Sequence, residues 1–186
     1  VVCVDIRVLL LVITNFKNYK YLMITSDQIK ALREETGISV MQCKKALEEA
    51  DGDREKALAI LKEKSAEQAA KKADRELGAG VIQSYIHSNG MMGALVQLAS
   101  ETDFVSNNTE FRALASDIAM HITAMNPAYL KEDEAVAAGA TAEEALLNQP
   151  FIKNPEVTIK GLVDGAVQKF GEKVELVRFA RFEIGK

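Results

Sequence analysis

The chain has 186 residues, 48% of them apolar and 27% charged, with 23 basic against 27 acidic side chains and a net charge of −4. That length carries one domain and a small module without covalent staples. The mixed, mildly acidic charge argues against a nucleic-acid binder driven by phosphate neutralisation and suits a protein partner. Two cysteines, Cys3 and Cys43, are too few and too far apart for a disulfide framework or a zinc site, and make the cytoplasm the default compartment. Within residues 1–22 the apolar run 8–13 is too short for a membrane span, which needs ~20 such residues. This stretch also lacks the basic start and small-residue cleavage site of a signal peptide. An added strand is one reading of 1–22; a dispensable extension, with Met23 as the natural start, is the reading we favour.

Residues 23–64 divide into three short helices. Thr25 with Gln28 three residues on is a capping-box start, Ile29 and Leu32 face inward, and Gly37 stops the helix. Ser39 with Gln42 repeats the device ahead of a stripe of Val40, Cys43, Ala46, Leu47 and Ala50. Asp51-Gly52-Asp53 ends that helix and caps a third with Ala57, Leu58 and Leu61 on one face. Such a bundle buries little and resembles the ubiquitin-associated three-helix fold, a docking module. Residues 65–77 are rich in Ala, Lys, Glu and Asp and read as a solvated helical linker.

Over residues 78–186 the period changes. Residues 81–87 and 91–99 alternate as strands and meet at Ser88-Asn89-Gly90, a strong hairpin signal because Asn and Gly tolerate positive φ. A helix opens near Asn107, with Phe111, Leu114, Ala115, Ile118, Ile122 and Met125 on one face, and closes at Asn126-Pro127. Residues 131–149 carry short helical pieces around Gly139. Ile159, Leu162, Val163, Ala166, Val167 and Phe170 mark a buried helix face ended by Gly171, and 174–184 forms a last strand whose alternation slips near Arg178, as at a bulge. The fold class is therefore α+β: a three-helix module, a helical linker, and a small antiparallel sheet of about three strands with helices on one side.

Nothing in this sequence points to an enzyme or a cofactor. Gly78-Ala79-Gly80 lacks the third glycine of a dinucleotide turn, and no phosphate loop is present. His87 and His121 stand alone and read as structural, Cys43 reads as a small buried hydrophobe, and no metal-ligand set assembles. The feature that stands out is Thr102-Asp103-Phe104-Val105, a corner between strand and helix. Corners are normally polar, and binding residues concentrate on them. Phe104 is either a staple folded back into the core, the commoner solution, or a projecting contact.

Four blocks decide between these. Residues 29–37 (IKALREETG) with 41–47 (MQCKKAL), then 101–108 (ETDFVSNN) with Phe111, then Ala124-Met125-Asn126-Pro127 with Tyr129, and finally 149–153 (QPFIK), Gly171-Glu172 and 178–182 (RFARF) resemble, in order, the bacterial elongation factor Ts family. Three departures stand beside the match. Ile38-Ser39-Val40-Met41 replaces the usual Ala-Gly-Met-Met, a longer helical segment between Tyr129 and Gln149 is absent, and residues 1–22 have no counterpart.

The resemblance implies a guanine-nucleotide exchange factor that binds elongation factor Tu, both GDP-bound and nucleotide-free, with no direct contact to nucleic acid or membrane. It implies docking through Leu32, Val40 and Met41. It further implies that the corner Thr102, Asp103, Phe104 and Val105 is pushed towards the partner's Mg²⁺ and nucleotide site, with Phe104 as the wedge and Asp103 fixing the corner by hydrogen bonding. The competing reading is a ubiquitin-associated-like interaction module joined to an α+β domain, binding without exchange. An apolar flank beside the final strand leads us to expect a homodimer formed through the C-terminal region.

Overall fold

The computed structural model describes residues 24–185, so the expected extension over 1–22 and the start at Met23 lie outside the described residues. The chain divides into two compact units, with the boundary between Lys64 and Ser65. In the first, helices α1 (Ser26–Thr36), α2 (Val40–Glu49) and the start of α3 (Arg54–Lys71) enclose a core of Leu32, Ile38, Cys43, Ala46, Leu47, Ala50, Ala57 and Leu61. The capping box at Thr25 and Gln28 is formed, and Gly37 ends α1 in the left-handed conformation at φ 68°. At α2 the Ser39 hydroxyl accepts from the Gln42 N–H at 3.4 Å. Asp53 accepts from the backbone N–H groups of Glu55 and Lys56 at the start of α3. Cys43 is a free, fully buried thiol. Val40, expected to continue the buried stripe, is 50% exposed at the first position of α2, because the stripe only turns inward from Cys43.

The second unit is built on an antiparallel sheet of β1 (Ala79–Ile86), β2 (Met92–Ser100) and β5 (Val174–Glu183), in the order β1-β2-β5. The hairpin closes as expected, with the His87 N–H on the Met92 carbonyl and Gly90 at φ 67°, where a side chain would be strained. Gln97 pairs with Arg178 and Leu98 with Leu176, so Val177 is the extra residue of a bulge. That is the slip expected near Arg178. One face of the sheet carries Val81, Tyr85, Val96, Leu98, Leu176 and Phe179 into a core shared with α5 (Thr109–Met125) and α7 (Ile159–Phe170). Phe111 and Phe170 meet edge to face there at 5.9 Å. The other face stays uncovered within this unit, leaving Ile82, Ile86, Leu95 and Phe182 exposed.

Between α5 and α7 lie α6 (Glu132–Ala137), two 3-10 turns (Ala142–Glu144 and Leu146–Asn148) and a small hairpin of β3 (Pro150–Phe151) and β4 (Asn154–Thr158). That hairpin has no signature in the sequence: its strands are very short and both contain proline, which weakens any strand signal. Met125, expected on the buried face of α5, is about half exposed at its last position, where Asn126 turns left-handed at φ 51°. The segment read as a solvated linker over 65–77 is only partly so. Ser65 is buried and hydrogen-bonded to Gln168, and Ala69 packs against the core of the second unit, since alanine and serine allow close approach that their polarity pattern hides.

Candidate functional site

The corner begins where β2 ends. Ser100 is buried, and its hydroxyl donates to the Thr102 carbonyl at 3.0 Å. Thr102 is extended (φ −126°, ψ 160°) and caps α4 (Asp103–Ser106), a single helical turn that leads into α5. A single turn has no stability of its own and must be held from outside. Inward, Val105 is only 2% exposed and packs in the main core. Laterally, the Glu172 carboxylate accepts from the Thr102 N–H at 3.0 Å and the Thr102 hydroxyl at 2.6 Å. Behind, the neighbouring Glu101 carboxylate takes the Lys173 N–H and the Arg75 guanidinium, at 3.1 and 3.2 Å to the latter. These donors hold the Glu101 carboxyl below the usual carboxylate range, the Lys173 N–H contributing most.

With Val105 turned in and Thr102 tied down, the residue between them points out. Phe104 is 82% exposed. Exposure of that degree removes the core-staple reading, and Val105 supplies the inward anchor instead. Asp103 is exposed too, but its expected part changes: among the described residues its carboxylate makes no hydrogen bond or ion pair, and the bonds that fix the corner come from Glu172. Glu172 was missed as a site residue, because no local pattern links positions 70 residues apart.

The expected docking residues separate in the same way. Met41 is 64% exposed and Val40 50%, adjacent at the start of α2. Leu32 is 1% exposed and closed inside the three-helix core. It therefore supports that surface from within and is not a contact: the stripe on α1, which turns Leu32 inward, holds, and the docking role implied by the resemblance is corrected. Among the described residues no group of three or more His, Cys, Asp or Glu is arranged to hold a metal ion. His121 is fully buried on α5, 3.1 Å through Nε2 from Gln149 Oε1, with Nδ1 accepting the Ile152 N–H at 3.3 Å. It ties the small hairpin to the core and stands apart from the corner.

Fold and corner define a class: a three-helix unit followed by an α+β unit whose strand-to-helix corner carries an exposed aromatic ring on a pinned turn. A family profile described as Elongation factor TS matches residues 16–145. The chain is 42% identical to the elongation factor Ts of Carboxydothermus hydrogenoformans, over 88% of this chain and 90% of the relative. It is 39% identical to those of Heliobacterium modesticaldum and Acetivibrio thermocellus, over 88% of this chain and 91% of each relative. The chain belongs to the elongation factor Ts family, whose members are factors of protein biosynthesis.

Proposed function

We propose that this chain binds elongation factor Tu in its GDP-bound and nucleotide-free states, in the cytoplasm, and accelerates GDP release by inserting the Thr102–Val105 corner beside the partner's nucleotide and Mg²⁺ site. The exposure of Phe104 carries the reading. A large rigid ring with few rotors, held out from a pinned turn, loses little entropy on binding and can fill a pocket in a partner. Asp103 adds a negative charge beside it, near groups that serve the metal and phosphates. No bond is made or broken by this chain: binding energy is spent on disturbing the nucleotide's surroundings, and by linkage nucleotide in turn displaces the factor. Val40 and Met41 provide the docking contacts. Replacing Phe104 by alanine tests the wedge. We expect an unchanged fold and release slowed roughly thirtyfold, the equivalent of ~2 kcal/mol; wild-type kinetics in a folded variant would leave only a passive binding module.

We further propose that the chain pairs with a second copy through the uncovered face of its sheet. Ile82, Ile86, Leu95, Phe182 and Ile184 are exposed there, and all but Ile82 line an open groove of 530 Å³ between the hairpin tip and the end of β5. Across that face the register sets Ile82, Gln97 and Arg178 in one row and Ser84, Leu95 and Ala180 in the next. Arg178 is the lone charge in these rows and donates to Gln97 at 2.8 Å, so a two-fold contact must leave the two guanidinium groups apart and solvated at its rim. No cysteine lies after Cys43, so such a dimer is non-covalent and should dissociate on dilution. Light scattering at micromolar concentration should give twice the chain mass; a monomer, alone and with the partner, would exclude it.

A further inference from the structure

The two acidic residues nearest the corner form a reciprocal clamp. Glu101 follows β2 and its carboxylate holds the backbone N–H of Lys173; Glu172 precedes β5 and its carboxylate holds the backbone N–H and hydroxyl of Thr102. Each carboxylate thus grips the segment to which the other belongs, one residue further along. The clamp is braced from a third segment, since the Lys173 ammonium donates to the Ala73 and Arg75 carbonyls at 2.6 and 3.0 Å. Lys72 lies within electrostatic reach of both carboxylates. Glu172 is aimed by Gly171, which ends α7 in the left-handed conformation at φ 72°. Its two bonds leave Thr102 with no free polar group, because Ser100 has already taken the carbonyl.

We propose that Glu172 is a positioning residue for nucleotide exchange, setting the angle at which the α4 turn presents Phe104. This rests on the exchange function proposed above. The α4 turn is four residues long and only Val105 and Ser106 of it are buried, so without the clamp the Phe104 ring would be presented over a range of orientations. A contact that must fit a pocket loses effectiveness when its approach is not set in advance. The bonds lie at the surface, so water replaces them when Glu172 is removed, and the loss falls on orientation more than on stability.

The test uses the full chain with Glu172→Ala, Glu172→Gln and Phe104→Ala, measuring GDP release from elongation factor Tu across a range of factor concentrations. Thr102 amide hydrogen exchange and the melting temperature are followed in the same proteins. We expect Glu172→Ala to speed Thr102 amide exchange, to lower the maximal release rate roughly tenfold, through the lost orientation of the Phe104 ring, and to leave the half-saturating concentration and melting temperature near wild type. Glu172→Gln, which keeps one acceptor oxygen, should fall between, and serves if the alanine variant does not fold. Unchanged Thr102 amide exchange would overturn the clamp. A wild-type maximal rate in Glu172→Ala and Glu172→Gln, with Phe104→Ala impaired, would overturn the positioning role. If Phe104→Ala itself releases GDP at the wild-type rate, the exchange reading fails, while amide exchange still reports on the clamp separately.

Discussion

Two buried or half-buried titratable side chains set opposite pH dependences. Burial pushes His121 below the usual imidazole value of 6.5, outweighing the hydrogen bond its Nε2–H donates to Gln149 Oε1, which favours its charged form. Protonation would also cost the Ile152 N–H its acceptor. The unfolded chain takes up that proton more readily than the folded one, so the stability from neutral His121 is complete above pH 6.5 and is lost as the pH falls below it towards the folded value. Denaturant titrations from pH 7.5 down to 5.5 should show a loss of at most about 1.4 kcal/mol per pH unit from this residue, absent in His121→Gln. Asp164, half-buried on α7, is shifted the other way: burial raises it above 3.8, only partly offset by Lys160. Its ionised form is therefore disfavoured by folding, at a cost that appears as the pH rises through 3.8 and beyond. Asp164→Asn should raise the melting temperature at pH 7 and make no difference below the usual carboxylate range; a lower melting temperature at pH 7 would mean that the carboxylate has a favourable partner.

At the scale of elements, adjacent residues of one short turn do opposite work. Val105→Ala removes buried methyl groups from the main core and should cost about 1–3 kcal/mol of stability, whereas Phe104→Ala next to it should leave the melting curve almost in place. Equal shifts in the two variants would show that the ring is packed in solution. Gly80 is a second test, because a Cβ there would stand 2.6 Å from the Leu98 carbonyl oxygen and 2.9 Å from the Ala99 Cα. Gly80→Ala should lower stability by roughly 1–3 kcal/mol through displaced backbone between β1 and β2, read from the denaturation midpoint. Elements with a local signature were legible in the sequence: the capping box at Thr25, the Asn89-Gly90 hairpin, the buried face of α7 and the bulge beside Arg178. What was not legible depended on partners far away in sequence. The burial of Ser65 against Gln168 and the grip of Glu172 on Thr102 are decided by packing, and the hairpin at Phe151 is too short for any periodicity. The corner was visible as an anomaly in the sequence, but whether Phe104 turned in or out was settled by Val105 taking the core position.

For the whole molecule, the proposed function separates docking from displacement. Val40 and Met41 belong to the three-helix unit, and Phe104, the proposed wedge, to the α+β unit. Met41→Ala should therefore raise the factor concentration needed for half-maximal release, about tenfold for an exposed apolar contact worth ~1.4 kcal/mol, and leave the maximal rate unchanged. A lowered maximal rate at wild-type half-saturation would place Met41 in the exchange step and undo that division. The central claim is that the chain exchanges nucleotide and does not merely bind. Its most direct test is the time course of labelled GDP leaving elongation factor Tu of the same organism, with excess unlabelled nucleotide, in the presence and absence of the full chain. Release should accelerate with chain concentration and reach a plateau rate well above the spontaneous one; a bound complex that loses GDP at the spontaneous rate would contradict exchange.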